Sequence, residues 1–295
     1  MKTLLATCLL LLANLPLSAQ FSGGFRAGLN FNTFDGPQET SSVDGTTWET
    51  FNRTTGFHVG ATFAYAITDL VGFKADLMYT QKGAEALYDG PSYFYLYDLR
   101  GDNDTEDRVQ GLLSSERDVV NSYIEVPLVA YYRIGPLEIE GGVSTGLLVN
   151  SRASGGGKFT NNLAADGNAV RDITFNYDYN YFRDGVGKES ALEVSDTPLA
   201  PGVDIFPPSV LGAYYNSDND EPLYKRLDFG LIGGLAFYLN NGLFIGARYQ
   251  YGLTDVTRGE NDRRRSTENS SGEREYNTDD KDYNRVIQAS IGFRF

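Results

Sequence analysis

FHVGATFAYAITDLVGFKADLMY, residues 57–79, decides the architecture. Taken in steps of two, its first half puts Phe57, Val59, Ala61, Phe63, Tyr65 and Ile67 on one face and His58, Gly60, Thr62, Ala64 and Ala66 on the other. After Thr68-Asp69 the alternation resumes, with Val71, Phe73, Ala75, Leu77 and Tyr79 opposite Lys74, Asp76 and Thr80. A period of two marks strands with unlike faces, and so short a link between them marks a tight hairpin.

The pattern recurs outward in both directions, giving eight segments. Upstream, Phe21, Phe25, Ala27, Leu29 and Phe31 alternate with Ser22, Arg26, Gly28, Asn30 and Asn32. Downstream, Ile124, Val126, Leu128, Ala130 and Tyr132 lie opposite Glu125 and Arg133, and Gly135-Pro136 turns the chain into Leu137, Ile139, Val143, Leu147 and Val149 opposite Glu138, Glu140 and Ser144. Leu227 to Leu239, lying opposite Arg226 and Asp228, leads through Asn240-Asn241-Gly242 into Leu243 to Tyr251, opposite Arg248 and Gln250. The chain ends on Ile287, Ala289, Ile291, Phe293 and Phe295 opposite Asn284, Gln288, Ser290 and Arg294.

Charge placement selects lipid over water as the solvent of the apolar faces. A charge midway along a lipid-facing strand costs about 2–4 kcal/mol, and none of these faces carries one there. Lys225 and Arg285 stand at strand starts, within reach of an interface. The opposite faces carry Arg26, Lys74, Asp76, Glu125, Arg133, Glu138, Glu140, Arg226, Asp228, Arg248 and Arg294. A soluble sandwich would turn its apolar faces inward instead, but it has no reason to alternate minimal turns with very long connections. Outer-membrane barrels have that asymmetry. The expected fold is all-β, an eight-stranded antiparallel up-and-down transmembrane β-barrel, with ten strands as the alternative. Phe31, Phe57, Tyr79, Tyr251 and Tyr283 would form one aromatic girdle and Tyr65, Tyr132 and Phe237 the other.

Met1-Lys2-Thr3, an apolar run from Leu4 to Leu17 and Ser18-Ala19-Gln20 form a secretory signal pattern, so residues 1–19 are expected to be a signal peptide and 20–295 the barrel domain. Cys8 is the one cysteine, which leaves the mature chain no disulfide or thiolate metal ligand. The composition has 33 Gly, 20 Tyr and 18 Phe, and the net charge of −14 argues against a nucleic-acid partner. The expected location is the outer membrane of a Gram-negative bacterium, in contact with lipid and lipopolysaccharide, after insertion by the barrel assembly machinery.

Phe25-Arg26-Ala27-Gly28-Leu29-Asn30-Phe31 and Tyr123-Ile124-Glu125-Val126-Pro127-Leu128, with the aromatic last strand, resemble the PorT-like outer-membrane β-barrel family of Bacteroidota. The resemblance implies a fold and a location. The family includes a secretion-system component, and the resemblance transfers no functional residue to this chain.

Four external loops are expected near 34–54, 83–121, 151–223 and 254–282. They hold 33 of the 39 acidic residues but 15 of the 25 Lys and Arg, a net charge of about −18. Asp102 to Asp107, Asp218 to Glu221 and Asp279 to Asp282 supply oxygens for calcium without the spacing of an EF-hand, so a metal site stays open. The tyrosine alternation at Tyr93, Tyr95 and Tyr97, and from Ile173 to Tyr181, fits either hairpins projecting beyond the membrane or an extra strand pair. His58 is the sole histidine, and no Gly-x-Ser-x-Gly elbow, phosphate loop or zinc-binding pair accompanies it. The expectation is therefore a non-enzymatic barrel, without catalytic or cofactor residues, that binds a surface or secretion partner or shields the envelope. The alternatives are a lipid-modifying enzyme using His58 and a narrow channel.

Overall fold

A computed structural model describes residues 20–41, 44–98, 106–164, 167–183, 191–193, 205–206, 222–240, 242–258, 264–268, 274–277 and 281–295. Eight strands close a ring: β1 (Phe21–Asp35), β2 (Thr54–Ala66), β3 (Val71–Asp98), β4 (Glu106–Ile134), β5 (Leu137–Ala164), β6 (Leu227–Tyr238), β7 (Leu243–Asp255) and β8 (Tyr283–Arg294). Each pairs antiparallel with its sequence neighbour, and β8 returns to β1 with Gly24 opposite Arg294 and Asp35 opposite Tyr283. Closure removes both open edges, which is the condition for strands to sit in hydrocarbon.

The three short turns lie at one end of the ring, and local chemistry makes each. Thr68 Oγ accepts from the Leu70 and Val71 amides at 3.2 and 3.0 Å. Gly135, at φ 58°, takes the positive-φ position of the Gly135-Pro136 turn between paired Ile134 and Leu137. The Asn240 carboxamide oxygen accepts from the Gly242 and Leu243 amides. By the rule that periplasmic turns are short, this is the periplasmic end.

Around the ring the apolar faces point outward: Phe25, Leu29, Phe73, Leu77, Leu128, Val143, Leu231, Leu235, Ile245 and Ile291 are all roughly half exposed. No helix of the described residues is long and apolar enough to cross a membrane.

Above the membrane the architecture departs from the expected loops. β3, β4 and β5 run for 28, 29 and 28 residues, whereas a tilted bilayer crossing needs about 9–11. Residues expected in the loops near 83–121 and 151–223 therefore continue the barrel sheet outward over much of their length. Short strands add to this extension: Glu49–Asn52 on β3, Ile173–Tyr179 on β5 and Ala191–Glu193 beyond it. The tyrosine segments are thus projecting sheet and lie outside the ring, which stays at eight strands.

The extension has a core of its own, with Phe159, Phe175, Ile173, Tyr179 and Tyr181 packed with Val109, Leu113, Val119, Tyr123, Leu148, Phe34, Tyr224 and Val256. Apolar side chains face out in the membrane and in above it. On β5 one bulge makes the change. Ser122 pairs with Asn150 but Tyr123 pairs with Leu148, so Val149 is an extra residue. Inward positions are even below it, at Glu138, Glu140 and Ser144, and odd above it, at Ser151, Ala153 and Phe159.

Candidate functional site

The inward faces of seven strands bring ionised side chains together in the lumen. Near the periplasmic end, Lys74 Nζ lies 2.6 Å from Glu138 Oε1 and also bonds Glu140. Arg248 bonds Glu140 through Nε and holds Asp76 Oδ2 at 2.6 Å through Nη1, with Arg26 Nη1 at 3.6 Å from the same oxygen. All six side chains are buried. Rings line the spaces between them: Arg26 lies over Phe244 at 5.4 Å and Lys74 over Tyr131 at 5.5 Å. Arg133 and Arg294, partly exposed at the mouth, reach Glu138 Oε2 at 3.0 and 3.4 Å and face the Tyr238 ring.

A second cluster lies nearer the outer end. Lys82 Nζ is 3.0 Å from Asp228 Oδ2 and 3.3 Å from Glu125 Oε1. Asn284 Nδ2 donates to Asp228 Oδ2 at 3.0 Å, and Gln250 Nε2 donates to Glu125 Oε1 and Ser144 Oγ, both at 2.7 Å. The Lys82 ammonium is 5.1 Å from the centre of the Tyr123 ring. The extracellular core closes over this cluster through Tyr123, Leu148, Phe34 and Tyr224.

His58 faces the lumen between the two. Asn30 Nδ2 donates to Thr80 Oγ1 and the Gln81 carbonyl at 2.8 Å and to the Phe57 carbonyl at 3.2 Å, which leaves its Oδ1 for His58 Nδ1 at 2.7 Å. Nδ1 is thereby the protonated nitrogen, and Nε2 accepts from Ser290 Oγ at 2.9 Å. Gly28 makes room for the ring, because a Cβ there would stand 2.8 Å from His58 Cε1.

The structure thus gathers ten of the eleven inward charges expected from the sequence. Arg226 is the exception: it precedes β6, is exposed, and stacks on the Phe182 ring at 3.9 Å. Lys82 was missed, although the alternation from Lys74 through Asp76 and Thr80 runs straight to it. The interface residues fall as expected, with Arg285 on Asp35 at 2.7 Å and against the Tyr251 ring, and Lys225 on Asp255 at 2.7 Å. Of the calcium motifs, 102–105, 218–221 and 279–280 lie outside the described residues, as does the expected signal peptide at 1–19. Among the described residues no group of three or more His, Cys, Asp or Glu is set to hold a metal ion.

The chain matches the family described as "Outer membrane protein beta-barrel domain" over residues 14–258. It belongs to that family. With the closed ring of lipid-facing strands, this places the protein in the outer membrane of a Gram-negative bacterium. No curated protein matches it. Among solved structures it is similar to Ail, the attachment invasion locus protein of Yersinia pestis, in complex with the heparin analogue sucrose octasulfate, at 11% identity and TM-score 0.34, covering 94% of this chain and 99% of that one. OprG from Pseudomonas aeruginosa matches at 12% identity and TM-score 0.32, over 94% and 96% of the two chains. The outer membrane protease OmpT from Escherichia coli matches at 6% identity and TM-score 0.30, over 94% and 97%.

Proposed function

We propose that this protein is a non-enzymatic outer-membrane barrel whose extracellular sheet docks a surface or secretion partner. The observation that carries this reading is the extension itself. Three barrel strands continue well past the membrane as one sheet with its own apolar core, and shielding alone would not need such rigidity. Outside the membrane band, Leu112 and Leu163 stay about half exposed on adjoining strands, two registers apart. The surrounding acidic segments favour a basic partner. Photo-crosslinkers placed at Leu112 and Leu163 in intact outer membranes, followed by pull-down, should recover one predominant adduct. Recovery of an equal adduct from crosslinkers at lipid-facing Leu128 and Leu231, or of none from the extension, would overturn the reading.

One observation favours the second reading, a lipid-modifying enzyme. Ser290, His58 and Asn30 stand in the order of nucleophile, base and orienting group. All three are buried on the lumen side of the strands, away from lipid, which makes them a structural relay in our reading. Replacing His58 by Ala separates the two. Unchanged lipid A with a lower unfolding temperature supports the relay, and loss of a lipid A modification in a folded variant supports the enzyme.

A further inference from the structure

The unsatisfied polar atoms of the lumen differ between its two clusters. In the periplasmic cluster they are of both kinds: Nε and Nη1 of Arg26 and Nη2 of Arg248 are nitrogens seeking acceptors, Asp76 Oδ1 and the neighbouring Thr62 Oγ1 are oxygens, and Gln288 beside Arg248 leaves one of each. In the outer cluster every one is an oxygen: Glu125 Oε2, Asp228 Oδ1, Gln250 Oε1 and Asn284 Oδ1 have no partner among the described residues, and the buried Tyr123 hydroxyl, whose neighbour is the Asn284 amide, has no other. The five side chains that carry them are no more than 1% exposed. In four of the five, the sister atom of the same carboxyl or amide is already bonded within the cluster, so one carbon separates the free oxygen from that network.

The charges point the same way. In the periplasmic cluster the buried Arg26, Lys74 and Arg248 balance Asp76, Glu138 and Glu140, and Arg133 and Arg294 add two partly exposed positive charges at the mouth. In the outer cluster Lys82 alone faces Glu125 and Asp228, a net charge of −1 closed under an apolar core. A buried charge without a counter-charge is among the most costly arrangements in a fold. Water would donate to the oxygens and leave the charge. A shared proton would cancel the charge and, with the Tyr123 hydroxyl as the one other donor, still leave an amide oxygen unsatisfied. A metal ion does both, and carboxylates with amide carbonyls are the ligand chemistry of hard cations.

We infer that the outer lumen is a binding site for one hard monovalent cation of the sodium class, held by Glu125, Asp228, Gln250, Asn284 and Tyr123. A single positive charge brings the cluster to neutrality. A divalent ion would leave an excess positive charge beside the Lys82 ammonium. The ion ties β4, β6, β7 and β8 together beneath the extracellular core, and it binds as the barrel forms.

The test is refolding of the full chain from urea into detergent micelles, with sodium chloride exchanged for choline chloride at constant ionic strength. The readout is the temperature at which the compact, heat-modifiable band is lost. Above the dissociation constant, a tenfold rise in sodium should raise that temperature by about 3 °C. Glu125→Gln and Asp228→Asn each neutralise the cluster without an ion and should abolish the dependence, whereas exposed Glu116→Gln should keep it. Lys82→Met takes the cluster to −2 and should make calcium the stronger stabiliser. Equal stability of the wild-type chain in sodium and choline overturns the proposal. So does a sodium response that survives both carboxyl variants, or a wild-type response to calcium alone. Should the carboxyl variants fail to fold, the wild-type exchange and the Lys82→Met response decide.

Discussion

At the scale of single residues, the lumen is a problem in burying charge. Glu140 is the pivot, bonded to both Lys74 and Arg248. Replacing it by Ala leaves two buried cations each short of a partner, and the expected loss is about 3–5 kcal/mol, read as a lower urea midpoint in detergent. Glu116→Gln on the exposed surface should stay within about 0.5 kcal/mol. Equal midpoints for the two variants would show that the lumen charges are hydrated and carry no net stabilisation. The inward set was legible in the sequence because the period of two assigns each residue a face before any partner is known. Who pairs with whom was not. Arg248 meets Asp76 across 172 positions of sequence, and the tilt and stagger of the closed ring set that meeting. Arg226 was misassigned because the parity of a strand ends where its ladder ends, and β6 begins at Leu227.

At the scale of elements, the same alternation serves two solvents. All eight crossings were readable, since lipid demands an uninterrupted apolar face on every strand. The extension was not, because the bulge at Val149 reverses the phase of β5 and charged residues populate its outer face, so the segment looks like a polar loop. Phe159, 1% exposed and 6.0 Å from the Phe175 ring, belongs to the extracellular core alone. Phe159→Ala should cost that core about 3–5 kcal/mol. Protease should then cut the extension faster while the heat-modifiable band persists, and simultaneous loss of both would mean that extension and barrel fold as one unit. Phe293 tests the barrel side. It packs on Phe25 at 6.2 Å across the closing β1–β8 seam and faces lipid. Phe293→Asp should sharply lower the fraction that reaches the compact form, because it puts a charge on the lipid side of the strand that closes the ring. A folded fraction equal to that of Glu116→Gln would mean that this seam does not need an apolar lipid face.

At the scale of the whole molecule, three layers are stacked along the barrel axis: charged pairs near the periplasmic mouth, the Lys82 cluster above them, and the apolar extracellular core on top. Eight strands enclose an interior just wide enough to be filled by side chains, and here large ones fill it, with Arg26, Tyr123, Lys82, Met78, His58, Gln250 and Gln288 all less than 2% exposed. A hydrated ion crossing this column would have to break the Lys74–Glu138 and Arg248–Asp76 pairs, displace Lys82 from two carboxylates, and then part a packed aromatic core. Each step opposes conduction by a different physical means, so failure of one layer leaves the others closed. Purified protein in planar bilayers should therefore show no steady single-channel current under applied voltage. Opening the top layer alone, with Phe159→Ala, should leave it silent, because both charged layers remain. Large, stable conductance steps from the wild-type protein would mean that the lumen side chains do not close the barrel, and the account of the charge network as a packed core would fall with them.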